Sequence, residues 1–180
     1  IKEFSSRNFV KYPGVRDLRD ILWCSIDNLE SQDLDQIEFC ERAANREIRV
    51  WVAIADVDDY VQKSSACDKH AHNNGTSVYT GVDVFPMLPT KLSHELTSLM
   101  PGEARYAVVI EYFVRKDGSV RYSDVFRAVV RNQAKLVYES AGDWLEGKGK
   151  MPEPVRTING LEAQVRLQDE AAQRLHGFRM

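Results

Sequence analysis

The chain has 180 residues, of which 43% are hydrophobic, and a formal net charge of -3 at pH 7. This length and hydrophobic content fit one packed domain, and the mild negative charge argues against a protein that coats duplex nucleic acid through a basic surface. Three cysteines without disulfide or zinc spacing favour a reducing compartment, and the sequence contains no apolar run of membrane length. We therefore expect a cytoplasmic protein with no membrane partner.

The pattern of the chain predicts an α+β fold, with a largely antiparallel sheet and packed helices, over residues 16–180 after a lead-in segment of residues 1–15. Alternating or apolar runs bounded by turn residues favour strands, and amphipathic runs with capping signals favour helices. In chain order, the predicted elements are strands 36–42 and 48–55, helices 65–74 and 92–99, strands 106–115 and 120–130, and helices 133–146 and 161–175. The stretch 146–154, rich in Gly, Lys and Pro, is predicted to be a loop between the last two helices.

Acidic residues are concentrated just before the first predicted strand. Asp33 and Asp35 are two positions apart, so an extended backbone would point both side chains to the same face. A loop from Asp27 could bring a third carboxylate to that place. Like charges held close together repel unless a cation neutralises them, and carboxylate oxygens suit Mg²⁺ or Mn²⁺. Carboxylates that hold such ions are a common means of cutting phosphodiesters.

The acidic run has two other interpretations. A short acidic run is most often a solvated loop. A calcium-binding loop would place Asp27 and Glu38 at the first and last of twelve positions, but Leu29 and Gln32 stand where a ligand and the obligatory glycine belong. The calcium loop is therefore excluded, whereas the solvated loop stays open on the acidic run alone.

An ordered series of short motifs surrounds the acidic run. The motifs are RDLRD at 16–20, AIADV at 53–57, TSVY at 76–79, FPMLP at 85–89, LSHELTSL at 92–99 and PGE at 101–103. Each motif alone is weak, but six in this order and at these spacings resemble the catalytic domain of the ribonuclease II and ribonuclease R family. The resemblance runs from about Asp17 to the end of the chain and covers the front part of that catalytic domain, the RNB domain.

The resemblance implies a hydrolase that removes nucleotides from the 3′ end of single-stranded RNA and releases nucleoside 5′-monophosphates. Asp27, Asp33 and Asp35 match the first three aspartates of the family's metal site. The match implies Mg²⁺, or Mn²⁺, as the cofactor, and these three residues as its catalytic ligands. Tyr79 matches the family's tyrosine that contacts the 3′-terminal nucleotide, and an aromatic face can stack on any base. Because the family's catalytic domain is much longer than the matched stretch, we expect the remaining part of the same domain as a partner.

Gln36 stands where the family pattern has a fourth aspartate. Its amide oxygen can still ligate a cation but brings no charge, so Gln36 is a further candidate metal ligand, and the number of metal ions stays open. The alternative function is a catalytically weak or inactive RNA-binding module of the same fold, and a structural domain with a surface acidic loop is a third interpretation. Only the enzyme predicts a metal-dependent loss of nucleotides.

Three further side chains have both a functional and a structural interpretation. Asp56, at the end of a predicted strand, could support the metal site as an acceptor behind the ligands, or could cap a helix or turn. Tyr79 could instead be a strand tyrosine packed in the core. Lys135, in the predicted helix 133–146, could lie near the substrate, but an exposed lysine on an amphipathic helix face is the commoner case.

Overall fold

The structure is a computed structural model that describes residues 13–80 and 82–179, so residues 1–12 of the predicted lead-in lie outside the described residues. The strands are β1 (Arg16–Leu18), β2 (Cys24–Asp27), β3 (Gln36–Arg42), β4 (Ile48–Ala55), β5 (Val78–Tyr79), β6 (Val84–Phe85), β7 (Ala104–Val114), β8 (Val120–Arg131) and β9 (Ala134–Val137). The α-helices are α1 (Ala66–Asn74), α2 (Tyr138–Leu145), α3 (Glu153–Thr157) and α4 (Leu161–Arg179). A short π-helix spans Lys91–Leu96.

One large sheet contains seven strands in the order β1-β8-β7-β4-β3-β2-β9, and β5 and β6 form a separate hairpin. The inner pairs, from β2–β3 through to β7–β8, are antiparallel. The edge strands differ, because β1 pairs in parallel with β8, and β9 pairs in parallel with β2. The predicted α+β fold with a largely antiparallel sheet is therefore confirmed, and the parallel edges are the part that the hairpin pattern did not predict.

Local signals account for the two long hairpins of the sheet. β3 and β4 have the predicted bounds, and every residue of β3 pairs with a residue of β4. β7 and β8 flank the predicted turn, in which Gly118 has a φ of +84°. A Cβ atom on Gly118 would lie 2.1 Å from the carbonyl oxygen of Arg174 in α4. Glycine is therefore required here both by the left-handed backbone and by the close approach of the helix.

The helix α4 covers one face of the sheet and is fixed there by a buried amide side chain. Its Ala171 packs with Ile48 and Val50 of β4. β2 pairs with β3 at a single residue pair, and farther along β3 the backbone of Cys40 bonds to Gln164 of α4 instead. The Cys40 N–H donates to Gln164 Oε1 at 2.5 Å, and the Cys40 carbonyl accepts from Nε2 at 2.7 Å. Gln164 thereby satisfies a strand edge that would otherwise be buried without partners.

The predicted helix 133–146 is wrong in its first part. Residues Ala134–Val137 form β9, and α2 begins only at Tyr138. Ala134 and Leu136 are buried, whereas the alternate residues of β9 are half-buried, as in a strand. Because Ala, Lys and Leu are good helix formers, local propensity favoured a helix. The pairing of β9 with β2, a strand far away in the sequence, overrides that preference.

The other helix predictions are borne out more closely. α1 has the side chain of Ser65 as its N-terminal cap and ends at Gly75, as predicted. α4 begins at Leu161 as predicted and continues to Arg179. The predicted helix 92–99 is reduced to the π-helix, and the predicted loop 146–154 ends at Pro152, where α3 follows. None of the helices in the described ranges has the length and apolar character needed to cross a membrane.

Candidate active site

The predicted acidic residues lie in the connection between β2 and β3. Asp27 is the last residue of β2, and Asp33 and Asp35 lie in the irregular segment 28–35, just before β3 begins. Leu34, between the latter two, is fully buried in the core. The backbone on either side of Leu34 therefore turns Asp33 and Asp35 outward, and both line one cleft of about 340 Å³. The structure thus brings Asp33 and Asp35 to one cleft, and their function as a shared carboxylate site stays a prediction.

Hydrogen bonds to carbonyl groups hold the first half of the segment 28–35. The turn Asn28–Ser31 is closed by the N–H of Ser31, which donates to the carbonyl of Asn28 at 3.2 Å. Lys135 of β9 donates from Nζ to the carbonyls of Leu29, at 3.0 Å, and of Ser31, at 2.7 Å. The interpretation of Lys135 as an exposed lysine on a helix is therefore wrong, because its ammonium group caps the turn between Asp27 and Asp33.

Residues that follow the π-helix hold the second half of the segment. Ser98 Oγ donates to the carbonyl of Gln32 at 2.8 Å and accepts from the N–H of Leu34 at 3.0 Å. The N–H of Leu99 donates to the carbonyl of Leu34 at 2.8 Å, and the N–H of Ala55 in β4 donates to the carbonyl of Asp35 at 2.9 Å. Since buried backbone groups need partners, these bonds fix the path of the chain on both sides of Asp33.

The buried side chain of Asn132 joins the elements around this segment. Its Nδ2 donates to the carbonyl of Leu99 at 2.9 Å and to Ser25 Oγ at 3.3 Å, and its Oδ1 accepts from the N–H of Ala134 at 3.1 Å. One amide side chain thus links β2, which ends in Asp27, to the start of β9, which carries Lys135, and to Leu99. Neither Asn132 nor Ser98 was predicted to hold the site, although Ser98 lies within the motif at 92–99 and Asn132 is a polar residue that follows an apolar run.

Asp27 carries a negative charge that its surroundings compensate only in part. Its Oδ2 is buried and has no hydrogen-bond partner in the described residues. Burial raises the pKa of Asp27. A hydrogen bond from Ser25 and the charge of Lys135 oppose this rise, whereas the charges of Asp35 and Asp33 add to it. A cation beside the unpartnered Oδ2 would offset both the energetic cost of burying this charge and the repulsion from the other carboxylates. The donor set therefore fits a hard divalent ion.

The aspartates nevertheless do not form a complete coordination sphere as they stand. Within residues 13–80 and 82–179, no three His, Cys, Asp or Glu side chains are close enough to form a metal-binding group. Asp33 Oδ2 accepts a hydrogen bond from the hydroxyl of Tyr79 at 2.9 Å. The structure therefore brings Asp27, Asp33 and Asp35 into one electrostatic neighbourhood, while their role as metal ligands stays a prediction.

Tyr79 lies on β5 with 66% of its surface exposed. The interpretation of Tyr79 as a packed core residue is therefore wrong. Its hydrogen bond to the carboxylate of Asp33 raises the pKa of the Tyr79 hydroxyl. The ring stands between the 340 Å³ cleft and a second cleft of about 440 Å³, and both Asp33 and Tyr79 line both clefts. An exposed aromatic face thus lies directly beside the carboxylates.

Gln36 lies apart from the aspartate cleft. It is the first residue of β3 and lines a third cleft, of about 170 Å³, together with Glu38 and Tyr138. Burial raises the pKa of Glu38, which points to the same side of β3. The structure does not bring Gln36 into the cleft that holds Asp33 and Asp35, and its role as a metal ligand stays a prediction.

Asp56 is buried and belongs to an ion pair. Arg127 of β8 donates from Nε to Asp56 Oδ2 at 2.6 Å and approaches the same oxygen with a second nitrogen at 2.5 Å. The side chain of Asp56 makes no capping bond to the 3₁₀ turn Val57–Asp59 that it precedes, so the capping interpretation is wrong. The role of Asp56 behind the metal ligands stays a prediction, and the ion pair joins the end of β4 to β8.

Comparison with known proteins relates this site to a family. The chain matches the family model described as the RNB domain over residues 15–180. It is 35% identical to ribonuclease R of Escherichia coli over 169 residues, which are 92% of this chain and 21% of that protein. It is 36% identical to ribonuclease R of Thermotoga maritima over 140 residues, which are 78% of this chain and 20% of that protein. The chain thus spans about a fifth of the length of these curated relatives.

A solved structure supports the same relationship. RNase R of Mycoplasma genitalium, in complex with ribose-methylated single-stranded RNA, matches this fold with a TM-score of 0.83. The two sequences are 26% identical, and the match covers 93% of this chain and 26% of that one. The sequence match over residues 15–180 and the shared fold together show that the chain belongs to the RNB-domain family of ribonuclease R, as its motifs predicted.

Proposed function

We propose that the chain forms the front part of the catalytic domain, residues 16–180, of a metal-dependent 3′-to-5′ exoribonuclease. The enzyme hydrolyses single-stranded RNA and releases nucleoside 5′-monophosphates. The observation that carries this proposal is the shared cleft of Asp33, Asp35 and the exposed Tyr79, with the under-compensated Asp27 beside it. The family membership and the RNA-bound relative from Mycoplasma genitalium agree with it.

In this proposal Asp27, Asp33 and Asp35 hold Mg²⁺, or Mn²⁺ in its place, and Gln36 is a further candidate ligand. The buried, unpartnered Oδ2 of Asp27 and the repulsion among the carboxylates support the assignment. When bound, the divalent ion supplies a Lewis acid for the phosphoryl oxygen and lowers the pKa of a bound water. The protein's own part is to hold the three aspartates in one stretch of the chain, where the charges of Asp33 and Asp35 act on Asp27.

The exposed ring of Tyr79 takes the terminal base of the RNA. A stacked base on an aromatic face contributes about 1–3 kcal/mol and tolerates any base identity. The hydroxyl of Tyr79, bound to Asp33 Oδ2, fixes the ring next to the carboxylates. Stacking there orients the last nucleotide for cleavage of its phosphodiester, which is a positioning contribution.

The proposal includes the remaining part of the same catalytic domain as a partner for this chain. The chain spans about a fifth of the curated relatives' length, and its net charge of -3 gives RNA little general attraction. The β5–β6 hairpin beside the clefts exposes apolar side chains, with Val84 46% and Phe85 60% exposed. Exposed apolar groups that lie together are typical of surfaces where another part of a protein packs.

A second candidate function is an RNA-binding module of the same fold with little or no nuclease activity. Two observations favour it, namely the amide of Gln36 in place of a carboxylate and the lack of three converged metal-ligand side chains among the described residues. Both functions predict binding of single-stranded RNA. Only the first predicts that nucleotides are lost when Mg²⁺ is added.

The test compares three forms of the whole protein that contains residues 1–180, namely the natural form, Asp35→Asn, and the matched control Asp20→Asn. Asp20 is exposed and lies outside the three clefts described above. Asp35→Asn removes the charge but little of the shape, so cleavage of a 5′-labelled RNA oligomer should fall by about 100-fold or more. RNA binding in EDTA should stay within about twofold, and Asp20→Asn should cleave normally.

The products decide between the two candidate functions. The nuclease should release 5′-monophosphates from the 3′ end, and only with Mg²⁺ or Mn²⁺ present. Cleavage that is unchanged in Asp35→Asn, or that continues in EDTA, would contradict the metal-site assignment. Firm RNA binding by the natural form with no loss of nucleotides in either metal would favour the binding module.

A further inference from the structure

Lys135 lies next to the aspartate site but outside the six motifs that carry the family resemblance. Its partner in the parallel β2–β9 pairing is Ser25, two residues before Asp27. Along β9 the neighbours Ala134 and Leu136 are buried against the helices, so the side chain of Lys135 leaves the opposite face, on the side of Ser25 and Asp27. From there it reaches past the end of β2 to the turn that follows.

The ammonium group of Lys135 bonds to backbone carbonyls rather than to a carboxylate. The acceptors are the carbonyls of Leu29, at 3.0 Å, and Ser31, at 2.7 Å. Both belong to the turn Asn28–Ser31, whose internal bond joins the Ser31 N–H to the Asn28 carbonyl. Two of the three ammonium protons are therefore used to close a turn, which leaves the group poorly suited to hold an RNA phosphate.

We propose that Lys135 is a positioning residue that clamps the turn Asn28–Ser31 and thereby fixes the positions of Asp27 and Asp33 relative to each other. The inference rests on the proposed function, since it assigns the clamp a purpose at the metal site. Asp27 is anchored by β2, and Asp33 by the Ser98 bonds to its two neighbours. The turn between these anchors has no other side-chain bond to its carbonyls than those from Lys135 in the described residues.

Two effects of Lys135 on metal binding oppose each other, and this makes the proposal testable. Its positive charge repels a cation, so removal of the charge alone would strengthen metal binding. Its clamp holds two carboxylates in place, so loss of the clamp would weaken metal binding. Residues that orient metal ligands typically change affinity by about 10- to 100-fold when they are replaced. We therefore expect the clamp to outweigh the charge.

Three variants separate these effects. Lys135→Met keeps the length of the side chain but removes the charge and the donors. Lys135→Arg keeps the charge and several donors, so it should restore the clamp. Lys150→Met, in an exposed stretch before α3, removes the same charge elsewhere on the surface and serves as the matched control.

The first measurement is amide hydrogen exchange of the metal-free protein. In Lys135→Met the amide of Ser31 should exchange roughly tenfold faster or more, because the loss of bonds to a charged donor opens the turn. Lys135→Arg and Lys150→Met should exchange as the natural form does. Unchanged exchange in the β7–β8 hairpin shows that the Lys135→Met chain is folded. Natural exchange at Ser31 in Lys135→Met would overturn the proposal, whatever the metal does.

The second measurement is the binding of Mn²⁺ alone. It is monitored as the loss of the electron paramagnetic resonance signal of the free ion. The half-saturating Mn²⁺ concentration should rise about tenfold in Lys135→Met and stay within about twofold of the natural value in the other two variants. Equal or tighter Mn²⁺ binding by Lys135→Met would overturn the positioning role, even if exchange increases. Failure of the proposed function is distinguishable, because then the natural form itself binds no Mn²⁺ or Asp35→Asn cleaves normally.

Discussion

Replacement of Ser98 is the most quantitative test of how hydrogen bonds hold the segment 28–35. The side chain of Ser98 is buried, with 1% of the residue exposed, and Oγ both donates to the Gln32 carbonyl and accepts from the Leu34 N–H. Ser98→Ala leaves the buried N–H of Leu34 without its acceptor, which costs about 1–3 kcal/mol. We expect a loss of about 2 kcal/mol in the free energy of unfolding, which corresponds to roughly 4–8 °C in Tm for a chain of this size.

The same change should affect cleavage more than its effect on stability suggests. Leu34 lies between Asp33 and Asp35, so a shift of its backbone moves two carboxylates at once. Displacements of about 1 Å at reacting groups can cost 100-fold in rate, and we expect at least about a tenfold loss at a temperature where the variant is fully folded.

Urea denaturation of the metal-free chain measures the stability, and release of nucleotides from a labelled RNA oligomer measures the rate. Ser140→Ala is the control, because the exposed Ser140 hydroxyl makes a local bond, 3.2 Å long, to the Val137 carbonyl three residues earlier. It should change stability by less than about 0.5 kcal/mol. A Ser98→Ala chain that is as stable and as active as the Ser140→Ala chain would refute this account of the segment 28–35.

Three further predictions concern individual side chains of the site. Tyr79→Ala should weaken binding of short RNA oligomers by about 10-fold and alter the length of the shortest product, while Tyr79→Phe keeps most of the binding; because Tyr79 is largely exposed, a fall in Tm would contradict its assignment. Gln36→Asp should lower the Mg²⁺ concentration for half-maximal cleavage through its added charge, and an unchanged titration would agree with its position in a separate cleft. Burial raises the pKa of Asp27 in the native state above its value in the unfolded chain. Protonation of Asp27 therefore stabilises the native state in EDTA. This stabilisation is fully present below about pH 4 and is lost as the pH rises through the raised pKa. Asp27→Asn should remove this part of the pH dependence, and thermal unfolding in EDTA from acidic to neutral pH measures it.

Sequence predicted the elements whose signals are local. The β3–β4 hairpin has its apolar runs on either side of a short polar turn, and α1 has Ser65 and Gly75 at its two ends. β9 was missed because its four residues favour a helix in isolation, and the reason they form a strand is their pairing with β2. The predicted helix 92–99 likewise ran three residues too far at its C-terminal end, because the π-helix ends at Leu96 and Ser98 and Leu99 bond to the distant Gln32 and Leu34.

In the candidate site, too, the sequence predicted some parts and missed others. The acidic side chains were predicted because their spacing and the order of the motifs are visible in the sequence. The groups that hold them were not, because Lys135 and Ser98 act on backbone carbonyls that are 104 and 66 residues away in the chain. A carbonyl acceptor has no residue type, so no pattern of side chains records such a bond. Asp56 was singled out for its place at the end of a strand, and the sequence did not reveal that its buried carboxylate accepts a hydrogen bond from the distant Arg127.

The division between side chains and backbone bonds also explains how the fold tolerates Asp33 and Asp35 in the segment 28–35, shortly after Asp27 at the end of β2. The bonds that fix the segment use its main chain, and the carbonyls of Asn28, Leu29, Ser31, Gln32, Leu34 and Asp35 all have partners. The carboxylate of Asp27 keeps an oxygen with no partner in the described residues. If the side chains of the segment held it in place, the carboxylate oxygens that a cation needs would be occupied by hydrogen bonds. Replacement of an aspartate should therefore remove activity with little loss of stability, whereas replacement of Ser98 or Lys135 should reduce activity by releasing the backbone. This contrast distinguishes a built metal site from a solvated acidic loop, in which neither kind of change would alter cleavage.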